Sequence, residues 1–200
     1  MTRTLVVVTH PHPDGLARRA FARVVAGLEA GQHETRVLDL DAIDFDPRLT
    51  TDEKRRHLDD PATKPWVAEH AEALQWAERL ILVYPTWWGG APARLKGWFD
   101  RTWITGVAYT LPEGSSRIHA GLKNIKHLEI VTTHGGSRWA NLIGGRPGRL
   151  IVFRTLRLLC HPLCRRRFRA IYSTATASEA DINTWLDSIE AAYANEAAKG

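Results

Sequence analysis

The sequence predicts an α/β protein: a five-stranded parallel sheet with helices packed on both faces. Aliphatic runs alternate with segments of helical period, the order that builds crossover units rather than hairpins. The first of these runs is apolar without interruption, as a strand covered on both faces requires. The 200 residues, 44% hydrophobic and 24% charged, suit a single domain spanning 1–200 that buries its core without disulfide or metal staples. The same composition excludes a disordered or fibrous chain.

Leu5-Val-Val-Val8 is the first strand, ended by the loop Pro11-His-Pro-Asp-Gly15. Helical spacing then links Leu16, Ala20, Phe21, Val24, Val25 and Leu28, and Gly31 stops that helix. Thr35–Leu40 is a second strand. Asp41 to Pro65, rich in Asp, Pro and Thr, is a long connection with a turn of helix at Asp52–Leu58. A helix from Trp66 to Glu78 leads into a third strand, Arg79–Tyr84. After a loop holding two tryptophans and two glycines, an amphipathic helix runs from Pro92 to Trp103. His127–Thr132 and Phe168–Ser173 are the fourth and fifth strands, and Ser178 caps a last helix reaching Ala194. Five strands in this length fit a flavodoxin-like order, 2-1-3-4-5, whose ligands sit at the carboxyl ends of strands one and three.

The charge is unevenly placed. The chain carries 27 Lys and Arg against 22 Asp and Glu, a net +5. From Ile130 to Ser178 there is no acidic residue, and nine arginines fall there. The remainder holds 18 basic and 22 acidic residues, a balance of −4. One segment therefore carries the whole basic character. Arg138 and Arg146 lie where they could meet a nucleotide phosphate, while the Arg165–Arg169 cluster is expected on a solvated face or partner surface. No nucleic-acid motif accompanies the arginines, so nucleic acid is not expected as a partner.

Cys160 and Cys164 are the only cysteines. Four residues apart with His161 between them, they fall short of the four spaced ligands of a structural zinc site and suit two reduced thiols. The Leu5–Val8 run is too short for a signal peptide. No stretch approaches the roughly 20 apolar residues of a membrane helix. A cytoplasmic protein without membrane insertion or metal is the expectation.

Three loops would meet at one crevice in this strand order. The first, Thr9-His-Pro-His-Pro-Asp-Gly-Leu-Ala17, opens a helix whose free backbone N–H groups suit a phosphate. It lacks the Gly-x-Gly-x-x-Gly and Walker patterns. Asp14 as a plain N-cap is the alternative. The second, Tyr84-Pro-Thr-Trp-Trp-Gly-Gly90, ends a buried strand with adjacent tryptophans, which cannot both point inward. An exposed aromatic beside Gly89 and Gly90 suits a flat π-system. The alternative is a Trp pair closing the top of the core. The third is Thr132-Thr-His-Gly-Gly-Ser-Arg-Trp139, whose backbone donors suit a site where negative charge develops.

Pro85-Thr-Trp-Trp-Gly-Gly-Ala-Pro-Ala-Arg-Leu-Lys-Gly-Trp-Phe-Asp-Arg101 resembles the signature of the flavodoxin-like NAD(P)H:quinone oxidoreductases, a family that includes modulators of drug activity and ancillary reductases of potassium-efflux systems. Phe45-Asp-Pro47 and Gly106-Val-Ala-Tyr109 extend the resemblance, which runs from Leu5 to the last helix. It implies a homodimer with FMN or FAD near the subunit interface, and two-electron reduction of quinones or similar acceptors by NADH or NADPH. By the same resemblance Pro85, Thr86, Trp87, Trp88 and Gly89 lie along the flavin ring. His10, Asp14, Gly15, Leu16 and Ala17 form the phosphate and ribityl cradle, and Thr132, Thr133, Gly135 and Gly136 form the turn at the pyrimidine edge. Trp103 would help shape the aromatic slot.

Two departures stand out. Gly15 and Ala17 replace the family's usual Ser and Asn. Two neutral hydrogen bonds at roughly 0.5–1.5 kcal/mol each make flavin binding about 5–150-fold weaker unless backbone amides compensate. The family's Tyr and His beyond the third loop have no counterpart, because Trp139 and Asn141 stand there. His134 is the substitute catalytic candidate, set against an exposed loop histidine with no role. The rival functions are a flavodoxin-type electron carrier and a regulatory subunit with a weak or vestigial flavin site.

Overall fold

The computed structural model describes residues 1–59, 64–114 and 117–196. The end of the connection Asp41–Pro65 thus lies in part outside the described residues.

The elements run in order β1 (Thr4–Val8), α1 (Leu16–Ala30), β2 (Thr35–Asp39), α2 (Thr51–Arg55), α3 (Pro65–Trp76), β3 (Arg79–Pro85) and α4 (Ala93–Thr102). A small hairpin, β4 (Tyr109–Thr110) and β5 (His119–Ala120), precedes β6 (His127–Thr133). Two short helices, α5 (Arg138–Ile143) and α6 (Pro147–Leu150), and irregular turns from Ile151 to Leu159 lead to β7 (Arg165–Ile171) and α7 (Glu179–Ala194). The main sheet is ordered β2-β1-β3-β6-β7, and each neighbouring pair is parallel. This is the flavodoxin-like order the sequence predicts. The segment 138–159 and the β4–β5 hairpin have no periodic signal in the sequence.

Side-chain alternation fills both faces of the sheet. Leu5, Val7, Leu80, Leu82, Leu128 and Ile130 point toward α3 and α4. Val6, Val8, Ile81, Val83 and Val131 point toward α1 and α7. Complete burial of β1, with all five residues inaccessible or nearly so, explains its unbroken aliphatic run.

α4 fixes the entrance to the ligand end. Trp98, Phe99 and Trp103 form an edge-to-face aromatic cluster in the core. Trp103 therefore belongs to the interior and not to a ligand slot. Gly97 is required by close approach: a Cβ there would lie 2.3 Å from the Pro47 carbonyl oxygen and 2.4 Å from its Cα. The two sequence fragments Phe45-Asp-Pro47 and Leu95-Lys-Gly-Trp98 are thus one packing contact.

β7 begins three residues earlier than the sequence suggests, so the Arg165–Arg169 cluster lies inside the strand. Strand alternation then splits it. Arg167 turns to Glu129 at 3.9 Å and to Glu196, and the Arg169 guanidinium lies 5.4 Å from the Tyr193 ring centre. Glu129 is fully buried beside Arg79 at 3.3 Å and accepts from the Tyr193 hydroxyl at 3.0 Å. The expected single solvated face is therefore corrected: part of the cluster neutralises a buried carboxylate, whose isolation would carry a large desolvation penalty. No helix among the described residues is long and apolar enough to cross a membrane.

Candidate functional site

Parallel strands deliver their carboxyl ends to one edge. There Thr9 N–H donates to the Val83 carbonyl at 3.1 Å and Thr86 N–H to the Thr133 carbonyl at 2.8 Å. These two bonds bring the first, second and third loops side by side, across the change of direction between β1 and β3.

The first loop is held from below by a carboxylate that the sequence does not single out. Asp41, just past β2, accepts from Thr9 Oγ1 at 2.8 Å and from the His10 amide at 2.6 Å. Arg18 donates to the His10 carbonyl at 3.0 Å and clamps Asp39 through both terminal nitrogens. Arg94 reaches Asp41 at 3.5 Å. The N-cap of α1 is Gly15, with no side-chain cap and no acidic residue in the first turn. Asp14 is exposed and is not the cap. Its amide instead donates to His12 Nδ1 at 3.2 Å. Leu16 and Ala17 open the helix, so the positive end of α1 stays available to an anion. Gly15 also has a steric reason: a Cβ there would sit 2.1 Å from His10 Cε1. The glycine that departs from the family pattern makes room for the His10 ring.

In the second loop Trp87 and Gly90 exchange backbone hydrogen bonds of 3.1 and 2.9 Å. Trp88 sits between them in the left-handed region, φ 50°, a conformation that costs energy for a non-glycine residue. Trp87 is 57% exposed and Trp88 completely so. Neither tryptophan closes the core. Pro85 and Trp87 border a cavity of about 340 Å³ that also reaches Asp41, Pro47 and Arg94.

The third loop holds the most constrained side chains. Thr132, Thr133 and His134 are buried, whereas the Cβ positions of Gly135 and Gly136 face open space. His134 Nε2 lies 3.3 Å from Thr86 Oγ1, which is 2.9 Å from Thr132 Oγ1. Its Nδ1 faces Asn141 Nδ2 at 3.3 Å. This arrangement assigns the imidazole proton to Nε2. The ring stacks on Tyr172, centroids 4.6 Å apart and planes at 18°. Burial lowers the His134 pKa, so the ring is neutral near pH 7. The reading of His134 as an exposed loop residue is thereby overturned.

Thr86, Gly89, Thr132 and His134 line one narrow crevice with Tyr84 and Asn141. His10, Asp14, Gly15, Leu16 and Ala17 stand at the opposite, first-loop side. Tyr172, Asn141 and Asp41 are the residues that sequence reasoning misses. Tyr172 had a usable signal, since the end of a fifth strand must neighbour the loop after the fourth. The uncapped helix end, the exposed indoles and the open face at Gly135 and Gly136 fit a group that is anionic at one end and flat at the other. Cys160 and Cys164 are free and buried. Their mutual contact raises the Cys160 pKa and lowers that of Cys164.

Residues 2–189 match the family described as having a flavodoxin-like fold. The chain is 28% identical over 160 residues to NAD(P)H dehydrogenase (quinone) 1 of Cavia porcellus, covering 72% of this chain and 58% of the relative. The solved NAD(P)H:quinone oxidoreductase from Methanothermobacter marburgensis is similar in fold, with a TM-score of 0.81, 22% identity, and coverage of 97% of this chain and 98% of that one. An FMN-dependent NADH-azoreductase from Bacillus anthracis, solved in complex with FMN, has a TM-score of 0.74 and 14% identity over 98% of this chain and 100% of that one. The chain spans between 54% and 64% of the length of these curated relatives. With the sheet order and the match agreeing over nearly all its residues, the chain belongs to the flavodoxin-like family.

Proposed function

We propose that the protein is a flavin-dependent NAD(P)H oxidoreductase that reduces quinones or similar acceptors by two electrons, with FMN or FAD as its cofactor. The observation that carries this reading is the convergence of an uncapped helix N-terminus, two exposed tryptophans and a buried neutral histidine on three neighbouring loops at the carboxyl edge of the sheet. The quinone dehydrogenase relative and the fold shared with an FMN-bound azoreductase support it.

A bound flavin supplies the hydride chemistry. The protein's part is binding and orientation. Backbone N–H groups of Leu16 and Ala17, with His10 beside them, would receive the phosphate. Pro85, Thr86, Trp87, Trp88 and Gly89 would hold the flat ring, and Thr132, Thr133, Gly135 and Gly136 would supply the third loop's donors to it. His134 holds its Nε2 proton against Thr86 Oγ1, which in turn meets Thr132 Oγ1, so the histidine would orient the hydroxyls that face the ring. Arg18 and Arg94 offset the Asp41 carboxylate, which otherwise would oppose an anion at the first loop.

The protein is a homodimer in this reading. Trp88, Trp139 and Ile143 are exposed apolar side chains on segments tied together by the Gly148 amide donating to the Gly89 carbonyl at 3.0 Å. Such a patch beside a site suits an isologous interface. Purified protein mixed with FMN or FAD, NADPH and a benzoquinone tests the activity by loss of reduced-nicotinamide absorbance. Absence of both flavin binding and oxidation overturns it. Sedimentation of the wild type and of Ile143→Asp tests the dimer.

A further inference from the structure

The acid-free segment is not a general basic surface. Arg138, Arg146, Arg149, Arg154 and Arg166 border two adjoining cavities of about 370 and 450 Å³, and both are lined by Arg146, Arg149 and Phe168. Those same three residues also line the narrow crevice that contains His134 and Thr86. A basic groove therefore runs without interruption from the crevice to the outer face of β7.

The Arg149 guanidinium and the Arg146 backbone are held in place. Arg149 lies 5.2 Å from the Phe168 ring centre and 5.9 Å from that of Phe153, a cation–π arrangement that fixes the charge. Arg146 adopts left-handed backbone angles, φ 52° and ψ 50°. Its amide donates to the Asn141 carbonyl at 3.1 Å, and the Asn141 side chain contacts His134. The strained arginine is thus anchored through one residue to the buried histidine. No acidic side chain occurs between Ile130 and Ser178. Glu129 and Glu196 engage Arg167, which points to the opposite face of β7. Five cations around one groove, with no ion pair among the described residues, carry a repulsive cost that a polyanionic ligand removes.

The hydride donor of the proposed reaction is itself a polyanion, with three phosphates in NADPH against two in NADH. We propose that this groove binds the phosphates of NADPH, with Arg154 and Arg166 at its outer end selecting the 2′-phosphate and so setting a preference for NADPH over NADH. The proposal rests on the reductase reading above. Guanidinium pairs with phosphate in a two-pronged, charge-assisted fashion that a ribose hydroxyl cannot match.

The test has two independent arms. Calorimetric titration of the flavin-loaded protein with 2′,5′-ADP and with 5′-ADP should give roughly 10-fold or greater tighter binding of the bisphosphate, weakening as salt is raised. In Arg154→Gln/Arg166→Gln, checked for native circular dichroism, that difference should disappear. Steady-state rates should show the NADPH:NADH ratio of kcat/KM falling by a similar factor, through KM rather than kcat. Equal affinity for the two nucleotides, or a ratio unchanged in the variant, overturns the groove even if the protein is an active reductase. Bisphosphate selectivity in a protein that oxidises neither donor sustains the groove's anion selectivity and overturns the reductase reading. Tighter binding of a short DNA duplex than of 2′,5′-ADP would make the groove a polyanion surface and also overturn the proposal.

Discussion

His134 stacks nearly parallel on Tyr172, with ring centroids 4.6 Å apart, while its two nitrogens are each held at 3.3 Å by Thr86 and Asn141. Three contacts from three separate segments leave the imidazole one orientation. His134→Ala should lower kcat/KM for quinone reduction by about 100–1,000-fold, the scale of losing one positioned donor. Flavin affinity should change much less. Tyr172→Phe keeps the stack and most activity, whereas Tyr172→Leu frees the ring and approaches the His134→Ala rate. Stopped-flow turnover beside flavin titration separates the two effects.

Asp41 ties the first loop to the end of β2 through Thr9 and the His10 amide. Charge-assisted bonds of this kind contribute about 1.5–3 kcal/mol each. Asp41→Ala should loosen the loop and raise the flavin dissociation constant by roughly 10-fold or more. Fluorescence quenching on titration with FMN or FAD reads this directly.

Gly97 faces the Pro47 backbone at distances that admit no Cβ. Backbone cannot swing aside as a side-chain tip can, so Gly97→Ala must displace α4 or the loop carrying Pro47. A loss of about 1–3 kcal/mol is expected, seen as a lower midpoint in urea unfolding. Gly15→Ser offers the contrast: its clash is with the His10 ring, which can rotate. The cost should be smaller, and His10→Ala should relieve it, giving a non-additive pair.

Acid stability should be limited by histidines buried in neutral form. Half-burial and the charges of Arg79, Arg167, Arg165 and Lys126 bring the His127 pKa from 6.5 down to about 4. Between those values the unfolded chain binds a proton that the folded chain does not. The unfolded state is therefore favoured progressively as pH falls through that window, and stability is fully present above it. His33, His57, His70 and His134 are lowered in the same direction by burial. Thermal midpoints should fall steadily from about pH 6.5 to about 4, and His127→Gln should flatten the slope. A midpoint that rises on acidification contradicts this account.

The sequence by itself determined the sheet order and the place of the five main strands, most sharply for β1, β3 and β6, whose burial on both faces leaves runs that solvent-facing alternation cannot imitate; the partly exposed edge strand β7 was displaced by three residues. It also determined where α1 stops and where α7 is capped, since Gly31 and Ser178 act within a few residues of themselves. Long-range pairing was beyond it. Only the tertiary structure shows that Gly97 exists for Pro47, that Asp41 supports the first loop, and that Trp103 packs inward while Trp88 does not. The same holds for His134, whose character comes from Tyr172, 38 positions away in the chain, and for the arginines of β7, which strand alternation divides, Arg167 going to the buried Glu129 and Arg166 to the open groove. Local chemistry is written residue by residue. Burial, stacking and charge pairing depend on which distant segments the sheet brings together.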